Sequence, residues 1–156
     1  MNQATKSKQG FFALFLAISL IPLLWVFFQP PFASVDEPAH AARAYTTAHG
    51  HLFYPANNNK GPGDVDNIRV PNWILPVAEP DSPYCFWQRR EITADCAKTN
   101  WEANNILLHP DQFAQYFPTF YAFAGLPSYF SSGQTAYYFM RIFGLIEFLL
   151  LLAILF

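Results

Sequence analysis

Charge is what this 156-residue sequence has least of: Asp, Glu, Lys and Arg make up 13% of it, against 53% hydrophobic and 19% aromatic residues. So few charges cannot cover an ordinary soluble domain, and a membrane protein is the first expectation. The 9 Lys and Arg residues form no cluster and the net charge is −2, so nothing is available to neutralise phosphates along a groove. Nucleic acid is set aside as a partner. Nucleophile-elbow, phosphate-loop and dinucleotide fingerprints are missing too, which removes the common hydrolase and nucleotide-binding classes. Cysteine is scarce: Cys85 and Cys96 fit neither Cys-x-x-Cys nor a zinc spacing.

What is present is segmental. Residues 11–28 run from Phe11 to Phe28 without a charge, about 27 Å as a helix and close to the hydrocarbon thickness of a bilayer. They read as a transmembrane helix; a cleavable signal peptide would need a shorter apolar core and a small-x-small site, where Gln29-Pro30-Pro31 stands instead. Lys6 and Lys8 precede the run without an acid, so residues 1–10 are expected in the cytoplasm and residues 29–136 on the exoplasmic side. In that oxidising compartment Cys85 and Cys96 are expected to form a structural disulfide. Residues 137–156 supply a second span, with Arg141 near its start and Glu147 within it. Glu147 is costly in lipid unless it faces protein. With no positive anchor after Phe156, the expectation is the front part of a larger multi-pass protein, partnered by its remaining transmembrane helices, or a reading frame cut short.

Between the spans, Pro38 to His49 has the proline start and glycine stop of a short helix, and it places His40, Arg43 and Thr47 on one face. Residues 56–66 read as loop, Ile68 to Pro80 as extended structure, and Trp101 to Leu108 as a short helix ended by Pro110. Gln112 to Phe130 carries eight aromatics among almost no charges, which suits a helix resting in the headgroup layer, with membrane lipid as its partner.

The chemistry concentrates just past the first span, at Asp36, Glu37 and His40. A carboxylate pair followed by histidine can hold a divalent cation, accept a proton from an attacking hydroxyl, or cap the helix that follows; capping is the commonest outcome of such spacing. Ser34 and Glu37 also match a capping-box spacing. Arg43 and Arg141 are candidate phosphate-binding cations. Asp64-x-Asp66, His49, His51 and His109 read as solvated surface chemistry.

The ordered set Pro-Phe-x-x-x-Asp-Glu-Pro-x-His, Tyr84-Cys85, Ala94-Asp95-Cys96, Tyr116-Phe117-Pro118-Thr119-Phe120-Tyr121 and Met140-Arg141-Ile142-Phe143-Gly144 resembles the start of the bacterial membrane-protein family called domain of unknown function 2142. That family resembles GT-C glycosyltransferases, polytopic enzymes that take sugars from polyprenyl-phosphate donors on the outer face of the membrane. The resemblance implies a membrane α-helical fold, a fragment of a polytopic GT-C-like architecture in a bacterial cytoplasmic membrane. It implies Asp36 as catalytic base with Glu37 second, and His40, Arg43, Tyr121 and Arg141 on the substrate side. Asp36, Glu37 and His40 are also the candidate ligands of a divalent cation. The fragment alone is expected to be inactive. Phe117-Pro118-Thr119-Phe120-Tyr121 departs from the family's Pro-Pro-x-Tyr-Tyr-like stretch. The rival readings are a non-catalytic, membrane-anchored interaction module and an inactive remnant.

Overall fold

The structure, a computed structural model, describes residues 3–34, 36–52, 66–75, 85–86, 89, 91–93, 96, 98–99, 101–102, 105–111, 113 and 116–155. It is mostly helical. Helix α1 spans Gln3–Phe28, α2 Glu37–Ala48, α3 Pro118–Gly125 and α4 Gly133–Leu155; strands β1 (Asp66–Pro71) and β2 (Ile106–Asp111) form one antiparallel ribbon.

Two helices are long and apolar enough to cross a membrane: α1 over Gly10–Phe28 and α4 over Gly133–Ile154. Apolar side chains project from α1 in every direction, Ile21 and Phe28 being 72% and 79% exposed, which is a surface made for lipid and not for water. Helix α4 begins at Gly133, four residues ahead of the expected Tyr137, because its first turns are held by protein: Ala136 and Tyr137 are buried beneath Phe32 and Trp101. Within α4, Glu147 has one carboxylate oxygen buried without a hydrogen-bond partner.

Helices α2 and α3 lie side by side and parallel. His40 meets Tyr121, Ala44 meets Gly125 and Ala48 meets Tyr129, a constant offset along both chains. Small residues permit the approach: a Cβ on Gly125 would sit 2.0 Å from the Ala44 carbonyl oxygen, so only glycine fits there. Proline opens both helices, near the N-terminus where a missing N–H costs nothing.

The ribbon covers the other side of α2. Ile68 and Val70 point inward while Asn67 and Arg69 are exposed, the period-2 alternation of a half-buried strand. A two-stranded ribbon is marginal alone, and here it shares one core with Ala42, Ala44, Trp73, Ile74 and Tyr121. The helix expected over Trp101 to Leu108 is not formed. Residues 106–111 are strand β2, in register from Asp66 opposite Asp111 to Pro71 opposite Ile106. The short apolar run Ile106-Leu107-Leu108 is ambiguous by periodicity, and pairing with β1 decides it. The extended structure expected from Ile68 is the rest of β1 and a 3-10 turn over Asn72–Ile74. Within Gln112 to Phe130, where a helix resting in the headgroup layer is expected, Pro118–Gly125 form α3 and Leu126–Tyr129 a 3-10 turn. Asp64 and the glycine-rich loop before it lie outside the described residues.

Cys85 and Cys96 are joined by a disulfide, with their Cα atoms 6.1 Å apart.

Candidate functional site

The link between α1 and α2 turns sharply, and Phe32 takes the strain. Its φ is +60°, a left-handed conformation that costs a bulky residue about 1–2 kcal/mol. Its ring is fully buried, tilted against Tyr137 at 4.7 Å and Trp101 at 6.0 Å between ring centres, and its N–H donates to the Tyr137 hydroxyl at 3.1 Å. Complete burial of a Phe side chain stabilises by up to roughly 3 kcal/mol, so packing outweighs the strain.

That turn brings the end of α1 and the start of α2 onto one guanidinium. Arg141 Nε donates to Glu37 Oε1 at 2.6 Å, Nη1 to the carbonyls of Val26 and Gln29 at 2.9 Å each, and Nη2 to that of Pro30 at 3.2 Å; Nη2 also stands 2.5 Å from Glu37 Oε1. All five donors of the fork thus have partners. The Tyr137 ring lies 4.9 Å from the guanidinium carbon and the Trp25 ring 5.9 Å, so a charge that would be expensive near lipid is wrapped in carboxylate, carbonyls and π faces. The carbonyls freed where α1 ends, which need partners there, find them on Arg141. The pair is well buried, with 7% and 14% side-chain exposure.

Asp36 behaves differently. It occupies the N-cap position of α2, yet its side chain makes no cap hydrogen bond, and it is exposed. The Ser34 and Glu37 spacing gives only a backbone bond, Glu37 N–H to the Ser34 carbonyl at 3.1 Å. Among the described residues Asp36 makes no ion pair.

Asp36 faces a groove of about 640 Å³. Its roof is polar, made by Ser34, Asp36, Glu37 and His40 with Arg141 behind them; its body is apolar, walled by Pro22, Trp25 and Val26 of α1, by Phe120 of α3, and by Met140, Gly144, Leu145 and Phe148 of α4. Arg141 marks the level where α1 ends, and the groove runs from there along both spanning helices. Helix α3 reaches the same depth: the Phe123 and Phe143 rings are 5.2 Å apart, and Phe120 packs 3.7 Å from the Cβ position of Gly144, three residues and about 4.5 Å beyond Arg141.

His40 stands one turn from Asp36. Its Nδ1 shares a 2.7 Å hydrogen bond with the Tyr121 hydroxyl, and its ring lies flat on Phe113 at 4.1 Å. Burial pulls its pKa below the usual histidine range, partly opposed by the nearby Asp36 and Glu37 carboxylates.

Of the candidates read from sequence, Asp36, Glu37, His40, Tyr121 and Arg141 line this one groove. Arg43 does not. It is completely buried, 6.0 Å from the centre of the Tyr121 ring, and donates to the carbonyls of His51 and Leu52 at 3.2 and 3.0 Å, so fixing the chain that leaves the helix. Thr47, placed on its face by the spacing, is buried with it. Among the described residues no three His, Cys, Asp or Glu side chains group as a metal site would require, and Glu37 Oε1 is already held by Arg141. Sequence reasoning missed Tyr137, Trp25 and Phe32, whose only signal was aromatic identity near a span boundary.

No curated protein and no solved structure matches this chain. Residues 19–156, nearly the whole chain and all of the groove, match the family described as predicted membrane protein (DUF2142), and the protein belongs to that family.

Proposed function

We propose that this chain carries the catalytic carboxylate of a GT-C-like glycosyltransferase, which moves a sugar from a polyprenyl-phosphate donor to a cell-envelope acceptor at a bacterial cytoplasmic membrane. The observation that carries the reading is Asp36: an N-cap aspartate that caps nothing, exposed on an amphipathic groove at the level where a spanning helix ends. A residue kept for capping would bond the N–H groups of the first turn.

In this scheme the acceptor hydroxyl oxygen forms a bond to the anomeric carbon as the bond from that carbon to the phosphate oxygen breaks. The polyprenyl phosphate leaves with the electron pair, and the hydroxyl proton passes to Asp36. An aspartate is a weak base in the ground state, but a fixed one accepts a proton as it develops in the transition state. Glu37 has a different part: bound to Arg141, it sets where α2 starts and therefore where Asp36 stands. His40 and Tyr121 frame the acceptor side. The donor is presented on the exoplasmic face, which Lys6 and Lys8 ahead of α1 support for the segment after it.

The test uses the full-length protein in membranes with a labelled polyprenyl-phosphate sugar. Transfer that appears with the wild type, and a reporter inserted at Asn58 that reads exoplasmic, support the proposal. A cytoplasmic reporter at Asn58 overturns it, because the carboxylate would then face away from the donor.

A further inference from the structure

The charges around the groove decide which kind of head group it accepts. Arg141 is the one cation lining it among the described residues, and its five donors are all committed to Glu37 and to backbone carbonyls. Its charge is matched by Glu37, leaving Asp36 as an unbalanced negative charge at the mouth. His40 is held below the usual histidine range by burial, which disfavours its cationic form. Arg43 is completely buried behind the Tyr121 ring and does not line the groove. A phosphate head group here would lie against a carboxylate, and among the described residues no cation with an uncommitted donor lines the groove to receive it.

A hydroxyl head group suits the same surroundings, because the exposed Asp36 carboxylate accepts hydrogen bonds. Below it, Trp25, Phe120, Leu145 and Phe148 offer only apolar surface, and the volume lies in the range of ligand pockets that enclose a whole small molecule. We infer that this groove binds an uncharged amphiphile, its hydroxyl-bearing head at Asp36 and its tail along α1 and α4. Under the glycosyltransferase reading, on which only this last step rests, the occupant is the acceptor, and the donor phosphate is held elsewhere in the assembled protein.

Two photoactivatable probes with the same ten-carbon tail distinguish the head groups: a decyl glucoside and a decyl phosphate, each with a diazirine in the tail. They are placed at equal mole fraction in nanodiscs of zwitterionic lipid holding the full-length protein, and labelling is mapped to the peptides containing Trp25 and Phe148. The glucoside should label the groove at least tenfold more than the phosphate. Asp36→Asn should bring the two within about threefold by admitting the phosphate. Because the readout is a ratio on one sample, partial loss of folded protein does not change it. Equal or stronger labelling by the phosphate in the wild type overturns the inference, as does an unchanged ratio in Asp36→Asn. Failure of sugar transfer with the head-group preference intact retires the transferase reading and leaves this one standing. Transfer accompanied by a phosphate preference does the reverse.

Discussion

The junction of α1 and α2 has two sides built from neighbouring residues. On one, Glu37 and Arg141 are buried and paired, tied to each other and, through Arg141, to three carbonyls at the end of α1, although the second Glu37 carboxylate oxygen has no partner. On the other, Asp36 is exposed on a groove without a side-chain hydrogen bond to the helix it precedes. Polar groups near a bilayer are costly unless they are paired or used. The paired side accounts for itself as structure. The open side has no side-chain hydrogen bond to explain it, and the contrast is what supports the proposal of chemistry for one carboxylate and positioning for the next.

Breaking the paired side should have the largest effect on stability. Arg141→Met strands a buried carboxylate and three carbonyls, a loss of about 3–5 kcal/mol, read as a fall in the unfolding midpoint of the purified protein. A fall of less than about 1 kcal/mol would mean that the pair contributes no more than an exposed surface ion pair. Next comes Gly125→Ala, which must push α3 away from the Ala44 carbonyl and should cost about 1–3 kcal/mol; a neutral result would mean that the helices separate freely.

These contacts also separate what the sequence displayed from what it hid. Both spans, the α2 helix and the cysteine pair were legible because each depends on local signals: an apolar run, a proline start, two cysteines without a metal spacing. The partner of Glu37 was not legible, since Arg141 lies 104 residues away and no spacing rule connects them. Arg43 and Arg141 were read alike as phosphate cations for the same reason: residue type says nothing about which carbonyls a folded chain will place around a guanidinium. Strand β2 failed as a helix because its three apolar residues carry no period until β1 supplies the ladder.

The smallest effect concerns His40. Its folded pKa is lowered, so the unfolded chain binds more protons below pH ~6.5; its contribution to stability is complete above that value and is lost as the pH falls. Asp36→Asn takes away one of the two charges that oppose the shift. NMR titration of the ring should therefore give a lower pKa in the variant than in the wild type. An unchanged value would mean that Asp36 and His40 do not face the same space.

The comparison between the two carboxylates is tested most directly by sugar transfer per folded molecule, measured on the full-length protein with Asp36→Asn beside Glu37→Gln. Asn is as good a helix cap as Asp, so Asp36→Asn should fold and insert normally while transfer falls by about two orders of magnitude or more. Glu37→Gln should lose stability, and the molecules that remain folded should keep transfer within about tenfold of the wild type, since Asp36 is still present to take the proton. Full transfer by a well-folded Asp36→Asn variant would contradict the account and return Asp36 to the surface chemistry of a helix start.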